Sequence, residues 1–477
     1  MPMNGRSGNP LIGLGAGDLL AGYAARHFTP HDYIEALIDH IADWEPSLHA
    51  LYAYDPASAR SQAALSTARW REASPCGPLD GVPVTIKELI ATRGTPTPLG
   101  SAATELIPAL HDAPPSARLR AAGAIIIGKT TSPDYGMLSS GLSSFHALAR
   151  NPWDLRTNPG GSSAGAAAAA AAGYGPLHVG TDIGGSIRLP AAWCGLVGFK
   201  PTSGRIPIDP YYTGRCAGPM TRTVDDAARL MSVLCQPDDR DATSLPHETI
   251  DWDRTLETVR GLRVGLMLDA GCGMAADPEI AAAVLAAAGL FEQEGAVIVP
   301  APPVLTREIL DGIDIFWRAR SWSDIRHLSP ERQRMILPYI FDWASKGADV
   351  SGPDAVAGFN RTFELRRLCA AAFETVDVIL SPTTPNLSFP AEWASPLNDP
   401  ERPFEHIAFT LPWNMGEQPA VSINCGFSAK GEPIGLQIIT RRFADQQALQ
   451  LGRWYEARRG AIDNWPTFNW PPRSIPQ

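Results

Sequence analysis

Residues 158–190 read NPGGSSAGAAAAAAAGYGPLHVGTDIGGSIRLP. Two glycine-rich loops, Gly160-Gly161-Ser162-Ser163 and Gly184-Gly185-Ser186, each end in serine. An alanine run, 166–172, lies between them. Glycine lets a backbone approach a ligand closely and take positive φ, and alanine is the best helix former. The pattern predicts a helix that opens near Ser162 or Ser163 and stops at Gly173. Such loops cost backbone entropy, so serines at both ends point to a site. The structural alternative is a pair of tight turns around a buried helix.

The flanking sequence reads as an α/β protein. Upstream, 17–45 is helical in two pieces, the second opened by Thr29-Pro30-His31-Asp32, and 56–72 is a helix capped by Asp55. Val82, Val84 and Ile86 alternate as in a strand, with Lys87 at its end. A helix over 117–122 then feeds the apolar strand 124–128, the repeating unit of α/β folds, and Lys129 begins the next loop. The polar loop 132–161 carries Tyr135, Phe145 and Trp153, which argue for order. Downstream, helices are predicted over 224–234, 280–294 and 446–458, and strands over 262–268, 296–299, 376–380, 420–424 and 435–439. Residues 305–375 are mostly helical and rich in aromatics, which at such spacing favour core over ligand wall. Residues 465–477 read as a surface tail. With no repeat and no clean linker, the chain reads as one large α/β domain with inserted helices.

Composition narrows the function. The chain has 477 residues and a net charge of −10, which disfavours nucleic acid and anionic membranes as partners. Only five of the 40 basic residues are lysines: 87, 129, 200, 346 and 430. Arginine stays protonated, so any amine base must be one of those five. The apolar flanks of Lys87 favour its burial over that of the other four. Seven scattered cysteines without a C-x-x-C fit a reduced compartment, with no disulfide framework or structural zinc. No signal-peptide core opens the chain and no apolar run approaches ~20 residues, so a cytoplasmic location is expected.

Several chemistries lack their motifs. There is no phosphate loop, no H-E-x-x-H and no S-x-x-K. Gly161-Ser162-Ser163-Ala164-Gly165 matches the G-x-S-x-G nucleophile elbow, which would make Ser163 the nucleophile. That elbow needs an apolar strand before it, and Arg156-Thr157-Asn158-Pro159 is a poor one.

The GGSS loop, followed by VGTDIGGSIRLP and preceded by GVPVTIKE, resembles the amidase signature family. RLRAAGAIIIGKT, RNPWD, CGLVGFKPTSGR, VDVILSPTTP, QPAVSI and GLQII extend the resemblance across most of the chain. It implies a single large domain with a central mixed, twisted β-sheet covered by helices on both faces. Within it, 1–75 would be an N-terminal helical region, 76–235 the signature core, 236–375 a variable insertion shaping the pocket, and 376–477 the remainder of the core. It also implies a Ser–cisSer–Lys triad: Ser186 as nucleophile, Ser162 as relay on a cis bond from Gly161, and Lys87 as base. The N–H groups of Ile183, Gly184, Gly185 and Ser186 would form the oxyanion hole. Gly161, Ser163, Thr181, Asp182 and Arg188 would support them, with Arg188 partnering Asp182. The departures are Glu88 where many members have Asp, and Ala164 in GGSSAG.

The resemblance implies hydrolysis of amides, carbamates and esters through an acyl-enzyme, without metal or cofactor. The family's glutaminase subunits typically carry an Asp-x-Phe-Thr segment. Here the match is Ile407-Ala408-Phe409-Thr410, without the carboxylate, and the subunits' R-Y-G segment has no counterpart between 345 and 370. A stand-alone amidase is therefore favoured over a glutaminase subunit or a ureido-acid hydrolase. Trp317, Trp322, Ile407, Trp413 and Met415 are the candidate pocket residues. A homodimer is common in the family.

Overall fold

The alternation at Val84 and Ile86 forms an interior strand, third from one edge, of one mixed sheet in the computed structural model, which describes residues 9–462 and 464–467. In chain order the strands are β1 (Leu51–Tyr52), β2 (Pro83–Lys87), β3 (Ile125–Thr130), β4 (Leu177–Asp182), β5 (Val197–Lys200), β6 (Cys216–Thr221), β7 (Arg263–Leu266), β8 (Val297–Pro300), β9 (Val378–Pro382), β10 (Ala420–Phe427) and β11 (Pro433–Thr440). Their order across the sheet is β1-β3-β2-β4-β6-β5-β10-β11-β9-β7-β8. β2 runs parallel to β3 and β4, and β7 parallel to β8 and β9. The middle, from β4 through β11 to β9, is antiparallel.

Side chains alternate across the sheet, as a strand's period of two requires. Val378, Leu380, Val421, Ile423 and Ile438 enter one core with the helices Pro30–Leu48, Val224–Leu234, Pro278–Gln293 and Asp445–Arg459. Ile379, Ala420 and Ile439 enter the other, with the helices Arg307–Ile325, Pro338–Ser345 and Gly352–Ala371. The domain is a single α/β unit with helices flanking the sheet.

Helix ends follow local chemistry. Thr29 caps Pro30–Leu48 by accepting from Asp32 N–H, and Asp55 caps Pro56–Arg71 by accepting from Ser58 N–H. The alanine helix, Ala164–Ala172, starts after Ser163 and stops at Gly173 in the left-handed conformation. All nine of its residues are buried, and the small side chains let it lie against the sheet.

Three features depart from the sequence reading. β4 and β6, two central strands, escape it because Gly180, Gly218 and Pro219 break the apolar alternation. Lys129 lies inside β3 rather than opening a loop, with its ammonium donating to Ile90 O at 2.8 Å. Burial also does not single out Lys87, since Lys129 and Lys200 are buried too. The surface tail expected over 465–477 lies largely outside the described residues. Among the described residues, no helix is long and apolar enough to cross a membrane.

Candidate active site

The parallel pairing of β2 with β4 sets the site. Ile86 lies opposite Val179, so Lys87 and Thr181 come to the carboxyl ends of adjacent strands. Carboxyl ends of parallel strands are where open α/β sheets hold ligands. Lys87 Nζ donates to Ser162 Oγ at 2.7 Å and to Thr181 Oγ1 at 3.1 Å. The lysine is fully buried. Burial pushes its ammonium well below the ordinary lysine value, and the nearby positive charge of Arg215 adds to this against Glu88 and Asp182. Glu88 points elsewhere: its carboxylate accepts from Ser132 Oγ at 2.6 Å and Leu99 N–H at 3.2 Å, bracing two loops.

Lys129 and Lys200 have different surroundings. Both donate to backbone carbonyls, Ile90 O and Pro201 O, and hydrogen-bond to no serine among the described residues. Contact with Ser162, rather than burial, distinguishes Lys87.

The Gly161–Ser162 peptide bond is cis. A Cβ at Gly161 would lie 2.5 Å from the backbone N and O of Ser140, so the loop can pass only as glycine. Ser163 ties the loop to β4. Its Oγ donates to Thr181 O and accepts from Thr181 N–H, both at 3.2 Å, and its own N–H donates to Ser186 O at 3.2 Å. The hydroxyl of Ser163 is thus committed to the strand and unavailable as a nucleophile.

Asp182 and Arg188 build the second loop. Asp182 accepts from the N–H groups of Gly185 at 2.7 Å and Ile187 at 3.1 Å. It also accepts from Arg188 Nε and Nη2, both at 3.0 Å, and from Asn414 Nδ2 at 2.9 Å. Burial would raise the Asp182 carboxyl, but Arg188 and Asn414 outweigh it and hold the group well below the usual carboxylate range. The rest of the guanidinium donates to Thr410 O, Gln437 Oε1 and Asn414 Oδ1. Thr410 Oγ1 donates to Gly184 O at 2.6 Å.

The expected set of four oxyanion donors is reduced by this network. Gly185 N–H is turned to Asp182, whereas those of Ile183, Gly184 and Ser186 carry no hydrogen bond among the described residues. The residues of those three N–H groups line the cleft, and Gly185 supplies the turn, at φ +128°.

Ser186 lines a cleft. Tyr135, Met137 and Leu138 come from the long loop, and Ile183 and Gly184 from the serine loop. Trp317, Arg320, Tyr339 and Trp343 come from the inserted helices, with Phe404, His406 and Ile407 opposite. The Phe404 ring meets Trp317 edge-on at 5.0 Å and Trp343 at 5.7 Å. Of the five candidate pocket residues, Trp317 and Ile407 line this cleft. The other three do not. Trp322 packs beside Gly347 and Trp413 is buried edge-on to Phe373. Met415 is buried against Gly214, behind the loop. The sequence does not point to Tyr135, Tyr212, Arg320, Tyr339 or Phe404 as cleft residues, and the only signal is the aromatic content of their segments. Among the described residues, no group of three or more His, Cys, Asp or Glu is placed to hold a metal.

A protein-family model described as Amidase matches residues 32–449. The chain belongs to the amidase family. Within this family it is 34% identical to an acylamidase of Rhodococcus erythropolis, over 95% of this chain and 97% of that one. It is 35% identical to a glutamyl-tRNA(Gln) amidotransferase subunit from Roseiflexus sp. (strain RS-1), over 92% of this chain and 94% of that one. Among solved structures it resembles a bacterial aryl acylamidase of the amidase signature enzymes, with TM-score 0.86 and 27% identity over 94% of this chain and 97% of that one. As a member of the family it is an enzyme that acts on amides.

Proposed function

We propose that the chain is a stand-alone amide hydrolase that works through an acyl-enzyme on Ser186. The observation that carries this reading is the 2.7 Å contact between buried Lys87 and Ser162, on a loop tied to Ser186 through the Ser163 N–H. A serine hydroxyl is a poor nucleophile until a base takes its proton. A lysine held neutral by burial can be that base. Ser162, able to donate and accept, passes the proton of Ser186 to Lys87.

Ser186 Oγ then bonds to the carbonyl carbon, and the C=O π electrons move onto oxygen, held by the N–H groups of Ile183, Gly184 and Ser186. Losing one such donor typically costs about 10²–10³ in rate. When the tetrahedral species collapses, the C–N bond breaks and its electrons leave with nitrogen. Nitrogen takes the proton back from Lys87 through Ser162. Water repeats the sequence on the ester, releasing the acid and restoring Ser186. The same steps cleave carbamates and esters.

The aromatic walls suit a bulky aryl or alkyl body, in keeping with the acylamidase relative. The amidotransferase relative keeps a glutaminase reading in play. Against it, no carboxylate among the described residues lines the cleft to receive the amine of glutamine. The test is Ser186→Ala against a panel of anilides, aryl carbamates, esters and glutamine, with fluorophosphonate labelling read by mass spectrometry. Loss of both turnover and label supports the reading, and retained turnover overturns it. Turnover of glutamine alone would install the glutaminase reading.

A further inference from the structure

Arginine 320 brings a formal positive charge to the cleft, and no Asp or Glu among the described residues lines the cleft to neutralise it. Arg320 lies one turn beyond Trp317 on the helix Arg307–Ile325, so the two share a face. Its guanidinium carbon sits 3.7 Å from the centre of the Tyr212 ring. Arg215 lies 5.1 Å from the same centroid.

The edge of the Arg320 guanidinium is open. Its one ion pair among the described residues is a loose one, to the half-exposed Asp324 at 4.0 Å and beyond hydrogen-bond reach, and the side chain is 32% exposed. Other arginines of the helix are spent: Arg307 is bidentate on Glu405 at 2.7 and 2.9 Å, and Arg318 donates to Asp314 at 2.8 Å. Arg320 makes no hydrogen bond among the described residues. The cleft lining thus carries one guanidinium and no carboxylate among the described residues, although the whole chain is acidic, with a net charge of −10. A fixed guanidinium between apolar walls focuses positive potential where the substrate body must lie. Its planar fork matches a carboxylate better than any neutral acceptor.

We propose that Arg320 is a specificity-determining residue that binds an anionic group, a carboxylate, on the body of the amide substrate. This rests on the Ser186 reading and adds the substrate class: amides of an aryl or bulky alkyl body that carries an acid but no ammonium. An ammonium would enter the cleft without a carboxylate partner, so a zwitterion such as glutamine is disfavoured. The face of the guanidinium stays on Tyr212 while its edge takes the ligand, so binding asks only the loose 4.0 Å pair with Asp324 to give way.

The test uses two matched substrate pairs, one for each side of the scissile bond: succinic monoanilide against butyranilide, and 4-acetamidobenzoate against 4-acetamidotoluene. The purified full chain should prefer the acid in at least one pair by about 10- to 100-fold in kcat/KM, mostly through KM, the range of a hydrogen bond to a charged group. Arg320→Gln should collapse that ratio and Arg320→Lys should restore part of it. No preference in either pair, or equal loss on both members in Arg320→Gln, overturns the proposal and leaves Arg320 as a brace for Tyr212. Should Arg320→Gln fail to fold, the wild-type ratio decides: a fall between about 0.05 and 0.5 M salt supports the proposal, and a flat ratio overturns it. Turnover of none of the four amides would instead overturn the Ser186 reading beneath it.

Discussion

Lys87 donates to Ser162 at 2.7 Å from a fully buried position, and no carboxylate pairs with it among the described residues. An unpaired ammonium is costly in such a place, which favours the neutral amine. The burial that would ready Lys87 for the proposed role of base therefore works against the stability of the fold.

Lys87→Met is expected to abolish turnover and to raise thermal stability at pH 7. The Lys87 value in the fold lies well below its ordinary one. Between the two, the unfolded chain binds the extra proton, so stability rises with pH. The contribution is complete above about pH 10.4 and is lost as pH falls toward the folded value. Met removes this loss, so its gain over wild type should be about 1–3 °C at pH 7 and should shrink toward pH 10. Melting curves across that range check it, and a gain that grows with pH would count against it. The acidic limb of kcat/KM should likewise fall well below the ordinary lysine range.

Gly185→Ala should cripple turnover. At φ +128° a side chain is strained, and a Cβ there would lie 2.5 Å from Thr410 Oγ1 and 2.7 Å from Leu189 Cγ. The loop must shift, which moves the neighbouring N–H groups of Gly184 and Ser186 off the developing oxyanion. A fall of about 10²–10³ in kcat is expected, with a smaller change in KM. Equal kcat in the variant would show that the loop tolerates displacement.

How much of this is legible before the fold depends on distance along the chain. The serine loops, the alanine helix ending at Gly173 and the Asp182–Arg188 pair are local, and short-range chemistry suffices to read them. Lys87 stands out because lysine is scarce and its flanks are apolar. Yet Lys129 and Lys200 are buried as well, each satisfied by a carbonyl that no sequence pattern reveals. Commitment of the Gly185 N–H to Asp182 is a matter of loop geometry and is equally hidden. The cleft is least legible. Its walls come from residues 135–139, 212, 317–343 and 394–407, brought together only by the strand order and the inserted helices. An aromatic on a helix looks the same in sequence whether it faces core or cleft, which is why the sequence places Trp317 well and Trp322 and Trp413 badly.

Arg188→Met should destabilise the fold strongly. Both partners of the Asp182–Arg188 pair are fully buried. Removing the guanidinium strands the carboxylate, although Asn414 and three backbone N–H groups, those of residues 185, 187 and 188, remain on it. Breaking a buried pair from one side typically costs about 3–5 kcal/mol. Denaturant unfolding should show that loss, and Arg188→Lys should recover little, since Lys lacks the fork that also reaches Thr410, Gln437 and Asn414. A loss below about 1 kcal/mol would mean that the backbone donors alone hold Asp182.

Away from the cleft, Glu456 offers a test in the opposite direction of pH. Its carboxylate accepts from Val224 N–H at 3.1 and 3.3 Å, at the start of the helix Val224–Leu234. Burial pushes it up to about 7, against the Val224 bond and Arg459, with Asp225 and Asp226 adding to the rise. Asp226 is itself pushed up to about 6 by burial. A raised carboxyl binds its proton more tightly folded than unfolded. Its stabilising contribution is thus present below about pH 4.3 and is lost as pH rises through about 7. Glu456→Gln keeps an acceptor for Val224 and carries no charge. It should therefore gain about 1 kcal/mol over wild type at pH 8, a discounted figure because the side chain is 22% exposed, and gain nothing near pH 4. Urea midpoints at the two pH values measure the difference. A variant that is less stable at pH 8 would mean that the charged form of Glu456 holds the helix start, through Val224 and the helix dipole, more strongly than burial opposes it.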